Sequence, residues 1–291
     1  MKNEWLIGLT SMVTVLGVSA GIAWAGSSHG VAVAGWPVFL LAGVFVFALQ
    51  WLVFVHAWLA RTEKFFDLTG SVTFIVMMGF ALILGGARDI RSYMLVGLIV
   101  VWALRLGAFL YARIRRAGED RRFRSMKRSL PTFLMTWTLQ GAWVFITASC
   151  ALAAVTGQHV APLGLPFAFG LALWIFGFVV EVLADRQKRL FRSNPDNAGR
   201  FINTGLWAWS RHPNYFGEIV LWLGIAIMAY PALIGWQLAT LMSPLFVIVL
   251  LTRISGMRML EYRANKLWGD QPDYQDYKRS TPGLMLWPPS S

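Results

Sequence analysis

The chain has 291 residues, of which 57% are hydrophobic and only 14% charged, with a net charge of +12. A soluble domain is nearer half apolar and a quarter charged, so this composition excludes an ordinary soluble protein and indicates one continuous bundle within a membrane. The basic residues lie between apolar segments and not on one soluble face, which favours topogenic charge over nucleic-acid binding.

Apolar runs follow one another at 5–24, 36–59, 69–85, 93–111, 131–155, 163–184, 218–230 and 236–251. A spanning helix takes about 20 residues. The run at 218–230 reaches that length only if Tyr215 and Phe216 belong to it. The predicted fold class is therefore an all-α integral membrane protein, a polytopic bundle of seven to eight transmembrane helices with a cytoplasmic cap of loops and short helices. The first run ends in Ala23-Trp24-Ala25, which looks like a processing site. Its flank, Lys2-Asn3-Glu4, carries no net positive charge, so the run is read as a spanning helix and not as a leader.

Charge sets the orientation. Basic segments at 61–67, 113–128, 185–211 and from 253 onward alternate with nearly uncharged loops at 25–35, 156–162 and 230–235. Only Arg88 and Arg91, offset by Asp89, sit on the poor side. Both termini are then expected in the cytoplasm, with eight crossings. Within the fourth run, Arg105 stands among Leu104, Leu106 and Phe109, and an intramembrane arginine is a candidate functional group unless it snorkels. The single cysteine, Cys150, lies in an apolar run, and His29, His56, His159 and His212 have no metal-ligand spacing.

The chemistry gathers between 181 and 218. Glu181, Asp185, Arg189 and Arg192 share one face of the helix that ends near Ala184. A solvated helix end laced by ion pairs would account for them as well as a binding site would. The next segment, Asn194-Pro195-Asp196-Asn197-Ala198-Gly199, is turn chemistry that returns Arg200 toward the membrane. Then comes Arg211-His212-Pro213-Asn214-Tyr215-Phe216-Gly217-Glu218. Pro213 fixes a helix start, so Asn214 and the unpaired amides lie at its positive end, a place for an anion or a carboxamide, with Glu218 one turn deeper. Neither a Gly-x-Gly-x-x-Gly after a strand nor a Walker sequence is present, so any nucleotide site must be built from membrane helices and their loops. Arg253 and Glu261 follow the last run, and a charged, aromatic tail from Asp273 to Arg279 precedes Thr281-Pro282-Gly283.

These residues resemble the steroid 5α-reductase family, in particular its bacterial branch, with a more distant similarity to sterol reductases and isoprenylcysteine methyltransferases. The Asp–Arg–Arg spacing of that family is similar to Asp185, Arg189 and Arg192, and its later arginine to Arg200. Its Asn-aromatic-x-Gly-Glu motif resembles Asn214-Tyr215-Phe216-Gly217-Glu218, and the arginine opening its last cofactor segment resembles Arg253. The resemblance implies that residues 131–291 form an NADPH-binding half and that residues 1–130 shape a pocket for a lipophilic small-molecule substrate in contact with membrane lipid. It implies arginines that clamp the phosphates, with His212 and Tyr215 beside the cofactor, and Asn214 and Glu218 that bond the nicotinamide carboxamide. The implied activity is reduction of a C=C bond with NADPH, in the inner membrane of a bacterium with the cofactor site facing the cytoplasm. The family's ketone-polarising Glu has no counterpart: Glu63 and Asp67 flank a loop, His56 lies in the second run, and Trp102 falls near the place of the family's Tyr. An S-adenosylmethionine-dependent membrane methyltransferase is the alternative, and a non-enzymatic membrane protein or transporter a third reading. The polar residues gather at helix ends and not along a midplane path, which counts against the third.

Overall fold

A computed structural model describes residues 2–86, 89–120, 122–254 and 256–288, so Arg88 lies outside the described residues. Twelve α-helices account for most of it: α1 (Lys2–Gly26), α2 (Val38–Leu59), α3 (Phe66–Gly85), α4 (Ile90–Ala117), α5 (Phe123–Met126), α6 (Leu130–Thr147), α7 (Ser149–Thr156), α8 (Leu165–Ser193), α9 (Pro213–Ala229), α10 (Ser243–Val249), α11 (Met257–Trp268) and α12 (Pro272–Ser280). The strands among the described residues are β1 (Ala32–Val33) and β2 (Trp36–Pro37), an antiparallel pair with Ala32 opposite Pro37. Seven helical stretches are long and apolar enough to cross a membrane, and α6 with α7 forms an eighth if the bent pair is one span. The protein is an all-α polytopic membrane protein.

The span at Pro213–Ala232 includes Tyr215 and Phe216 and so reaches 20 residues. The bend of 55° between α6 and α7 is accompanied by two side-chain hydrogen bonds to its carbonyls. The Ser243 hydroxyl donates to the Thr147 carbonyl, and the Ser149 hydroxyl donates to the Ile146 carbonyl at 2.8 Å. Side chains that take over helical carbonyls in this way bend a helix.

The chain divides into two compact units, Met1–Gly164 with Ala229–Ser243 and Leu165–Met228 with Pro244–Ser291. In the first, Trp102 is fully buried and meets Phe74 edge-on at 5.2 Å. Arg105 is half-buried with its guanidinium 5.5 Å from the Phe109 ring, a cation–π contact one turn along α4. The carboxylates before and at the start of α3 are engaged: Glu63 is 3% exposed, accepts the Asp120 amide at 2.9 Å and pairs with Lys127, while Asp67 pairs with Arg113 at 3.1 Å.

In the second unit, α8 and α9 touch backbone to backbone. A Cβ on Gly177 would stand 2.5 Å from the Gly217 carbonyl oxygen, and one on Gly217 would stand 2.5 Å from that of Gly177. The same reciprocity holds a turn and more away, where Gly170 and Gly224 meet at 2.6 and 2.5 Å. Glycines seven residues apart on each helix thus form a clasp of the kind that brings membrane helices together. The register sets the start of α9 level with the turn of α8 that carries Glu181 and Asp185.

Orientation remains a property that labelling decides. Cysteines placed at Ser125 and Ser193 are expected to react only from the cytoplasm, and one at Ser27 only from outside. Cys150 is fully buried and adds no background. Labelling of the Ser27 position from the cytoplasm would overturn eight crossings in favour of seven.

Candidate functional site

Every residue of the expected site lies in the second unit. The helix expected to end near Ala184 runs on to Ser193, so Glu181 and Asp185 lie within α8; they are buried, 3% and 8% exposed, and both are engaged in interactions within the fold. Arg189 and Arg192 on the same helix are exposed, as is Arg200 beyond the turn. That turn forms as its composition dictates. The Asn194 side chain accepts the Asp196 amide at 3.1 Å, and Gly199 takes φ +77°, a left-handed value that glycine adopts without strain. Trp268 then donates to the Gly199 carbonyl at 2.6 Å.

Beyond the turn the chain folds under α8. Gln187 accepts the Leu206 amide at 3.0 Å, and the buried Trp207 donates its indole N–H to the Ala184 carbonyl at 3.0 Å. The Lys188 ammonium stands 4.2 Å above the Trp207 ring. Tyr277 of α12 donates its hydroxyl to the Trp207 carbonyl at 2.6 Å, and Phe201 meets Tyr274 edge-on at 5.1 Å and stacks on Tyr277 at 5.4 Å. The tail of the chain is therefore a structural part of this unit.

His212 occupies the cap of α9, where its carbonyl accepts the amides of Tyr215 and Phe216 at 3.1 Å each. Its ring is buried and stacks on Tyr215, with centroids 5.6 Å apart and planes 10° from parallel. Nε2 lies 3.0 Å from Glu261 Oε1, while Arg211 Nη1 reaches Glu261 Oε2 at 3.4 Å. Burial first, and then the charges of Lys188 and Arg211, hold His212 below its ordinary range against the opposing pull of Glu261. A neutral ring that donates from Nε2 leaves Nδ1 as an acceptor, and Nδ1 is buried without a hydrogen-bond partner. Asn214 and Glu218 are half-buried on one face of α9, and Glu218 is engaged in an interaction of its own.

The fold thus brings Asp185, His212 and Tyr215 to one end of the α8–α9 clasp, with Asn214 and Glu218 along the adjoining face of α9. Arg189, Arg200 and Arg253 remain exposed, and among the described residues their side chains form no hydrogen bond or ion pair. Arg253 lies in a widened helical turn at Leu250–Ile254, away from any contact with His212 or Glu261 that the structure records. Sequence reasoning missed the pairing of Arg211 and His212 with Glu261, the Lys188–Trp207 stack and the glycine clasp. Only the clasp had a signal, the seven-residue glycine spacing repeated on two helices. No group of three or more metal-ligating side chains occurs among the described residues.

Comparison with known proteins places these features in context. Over 88 residues the chain is 34% identical to 3-oxo-5-alpha-steroid 4-dehydrogenase 1 of Rattus norvegicus, covering 30% of this chain and 32% of that protein. It is 34% identical over 94 residues to Delta(14)-sterol reductase TM7SF2 of Mus musculus, covering 28% and 22% respectively. It is 27% identical over 103 residues to the probable O-methyltransferase ustE of Ustilaginoidea virens, covering 35% and 36%. The chain spans about half or less of the length of the curated relatives it matches. No solved structure matches it. The model of one family, described as a protein of unknown function (DUF1295), matches residues 53–281, most of the chain, and the chain belongs to that family.

Proposed function

We propose that this protein is a membrane reductase that uses NADPH to reduce a C=C bond of a lipophilic, enone-like substrate, in a cell membrane with its cofactor site facing the cytoplasm. The observation that carries the reading is the arrangement at the end of the α8–α9 clasp. Arg189 on α8 and Arg200 beyond its following turn are exposed without acid partners among the described residues, and in the same unit the buried His212 that caps α9 has an Nδ1 without a partner. Exposed cations and a buried acceptor without a donor, carried by the same unit, fit the two ends of a phosphorylated dinucleotide. The similarity to a steroid dehydrogenase and a sterol reductase supports the same chemistry.

In this reading Arg189, Arg192 and Arg200 hold the phosphates, and Arg253 contributes from the last cofactor segment. Asp185 anchors the cap of the site, and His212 and Tyr215 form one stacked wall. Asn214 and Glu218 fix the carboxamide of the nicotinamide, a group that needs one acceptor and one donor. NADPH when bound supplies a hydride to the alkene carbon. Glu63 and Asp67 are held in ion pairs, so neither is available to polarise a substrate carbonyl.

Cofactor choice tests the clamp. Charge-assisted hydrogen bonds contribute about 1.5–3 kcal/mol each. Arg192→Ala or Arg200→Ala is therefore expected to weaken NADPH binding by roughly 10- to 100-fold, with a smaller loss for NADH. Equal losses for both nucleotides, measured by equilibrium titration, would remove these arginines from the 2′-phosphate.

A further inference from the structure

The last residues of the second unit form a strap. Arg211 donates its backbone N–H to the Pro282 carbonyl at 2.9 Å, Ser210 its hydroxyl to the Leu284 carbonyl at 2.9 Å, and Trp287 its backbone N–H to the Trp209 carbonyl at 3.1 Å. Between strap and α12 lies an open depression of about 320 Å³, lined by Arg211, Lys278, Arg279, Gly283 and Trp287 among others.

Its charge is one-sided. Among the described residues three cations line it and no carboxylate does. The acids that touch these cations, Glu261 on Arg211 and Asp276 on Arg279, are outside the lining, and Lys278, whose charge also acts on Glu261, donates to the Asn265 side-chain oxygen at 3.0 Å. Arg211 Nε is buried with no hydrogen-bond partner, although its Nη1 is satisfied. Glu261 and Asp276 offset part of this charge from outside the lining, but the side of the three cations that faces the space has no anion of its own, and a buried guanidinium N–H without an acceptor is costly. Trp287, 68% exposed at the rim, offers a flat apolar face to whatever carries that anion.

We propose that this depression is a phosphate-binding site, distinct from the arginines of α8 and its following turn, in which Arg211 gives the directed hydrogen bonds and Lys278 and Arg279 give charge. The ligand is a phosphate monoester or diester, carried by a nucleotide or by a lipid headgroup. The site stands on its own cations and does not depend on the reductase reading.

Inorganic phosphate is the probe. Added to the purified full-length chain in an uncharged detergent, it is expected to show a broadened ³¹P resonance, with binding weakened about tenfold in Lys278→Gln/Arg279→Gln. Arg279→Gln alone, on a side chain 76% exposed, tests the site without risk to the fold and should weaken binding about threefold. Displacement of phosphate by NADP⁺ identifies a nucleotide as the source; displacement by nanodiscs containing phosphatidic acid, but not by phosphatidylcholine alone, identifies a lipid headgroup. Either result upholds the site. Absence of broadening in the wild-type chain, or equal broadening in the double variant, overturns it.

Discussion

Gly177→Leu and Gly217→Leu should each break the second unit, with a loss at or above the upper end of the ~1–3 kcal/mol typical of overpacking. The reason is the partner at the contact. A new Cβ would meet a backbone carbonyl oxygen at 2.5 Å, and backbone within a packed helix has no rotamer to yield. At Gly217 it would also stand 2.7 Å from the Glu181 amide nitrogen, on the turn that leads to Asp185. Gly97→Leu is the control, because a Cβ there meets nothing within 4 Å. Thermal unfolding followed by size exclusion in detergent reads the result. A Gly177→Leu chain that unfolds with the wild-type midpoint would show that α8 and α9 are not in contact at this register.

The second large effect is kinetic. Glu218→Gln is expected to lower turnover on the order of 100-fold while changing NADPH affinity little, because a displacement of about 1 Å at the reacting carbon costs that much. Asn214 and Glu218 lie four residues apart below Pro213, so they present donor and acceptor from one helix face. Glu261→Gln should act differently. Glu261 holds the neighbouring Arg211 and His212 from the side of α11, so its loss should lower stability by roughly 1–3 kcal/mol and lower turnover less than Glu218→Gln does. Steady-state kinetics beside unfolding midpoints separates the two. A Glu261 variant that is stable but inactive, with Glu218 dispensable, would reverse the assignment and favour methyl transfer.

Much of the fold was legible because a spanning helix must be long and apolar regardless of what it packs against. Runs of hydropathy therefore marked each span, and Pro213 marked the start of α9 through its fixed φ. The bend at Thr147 was not legible, since neither Pro nor Gly is there and its hydrogen-bond partner, Ser243, lies 96 residues away in sequence. The reading of Glu181 and Asp185 as a solvated helix end fails for a similar reason. Hydrophilic residues at the end of an apolar run look exposed, whereas the glycine clasp buries them to 3% and 8%. The site was half legible. The motif from Arg211 to Glu218 is local, so its helix face and cap could be foreseen. Glu261 could not be attached to it, because a single carboxylate 49 residues from His212 has no periodicity that names its partner.

Ligand binding to the full-length chain in detergent tests the central claim most directly. Calorimetric titration with NADPH, NADH and S-adenosylmethionine, each added to separate samples of the same preparation, compares the two chemistries in one readout. The α8–α9 site predicts saturable NADPH binding, NADH weaker by at least about tenfold, and no heat from S-adenosylmethionine. Saturable binding of S-adenosylmethionine with no response to NADPH would contradict the reductase account.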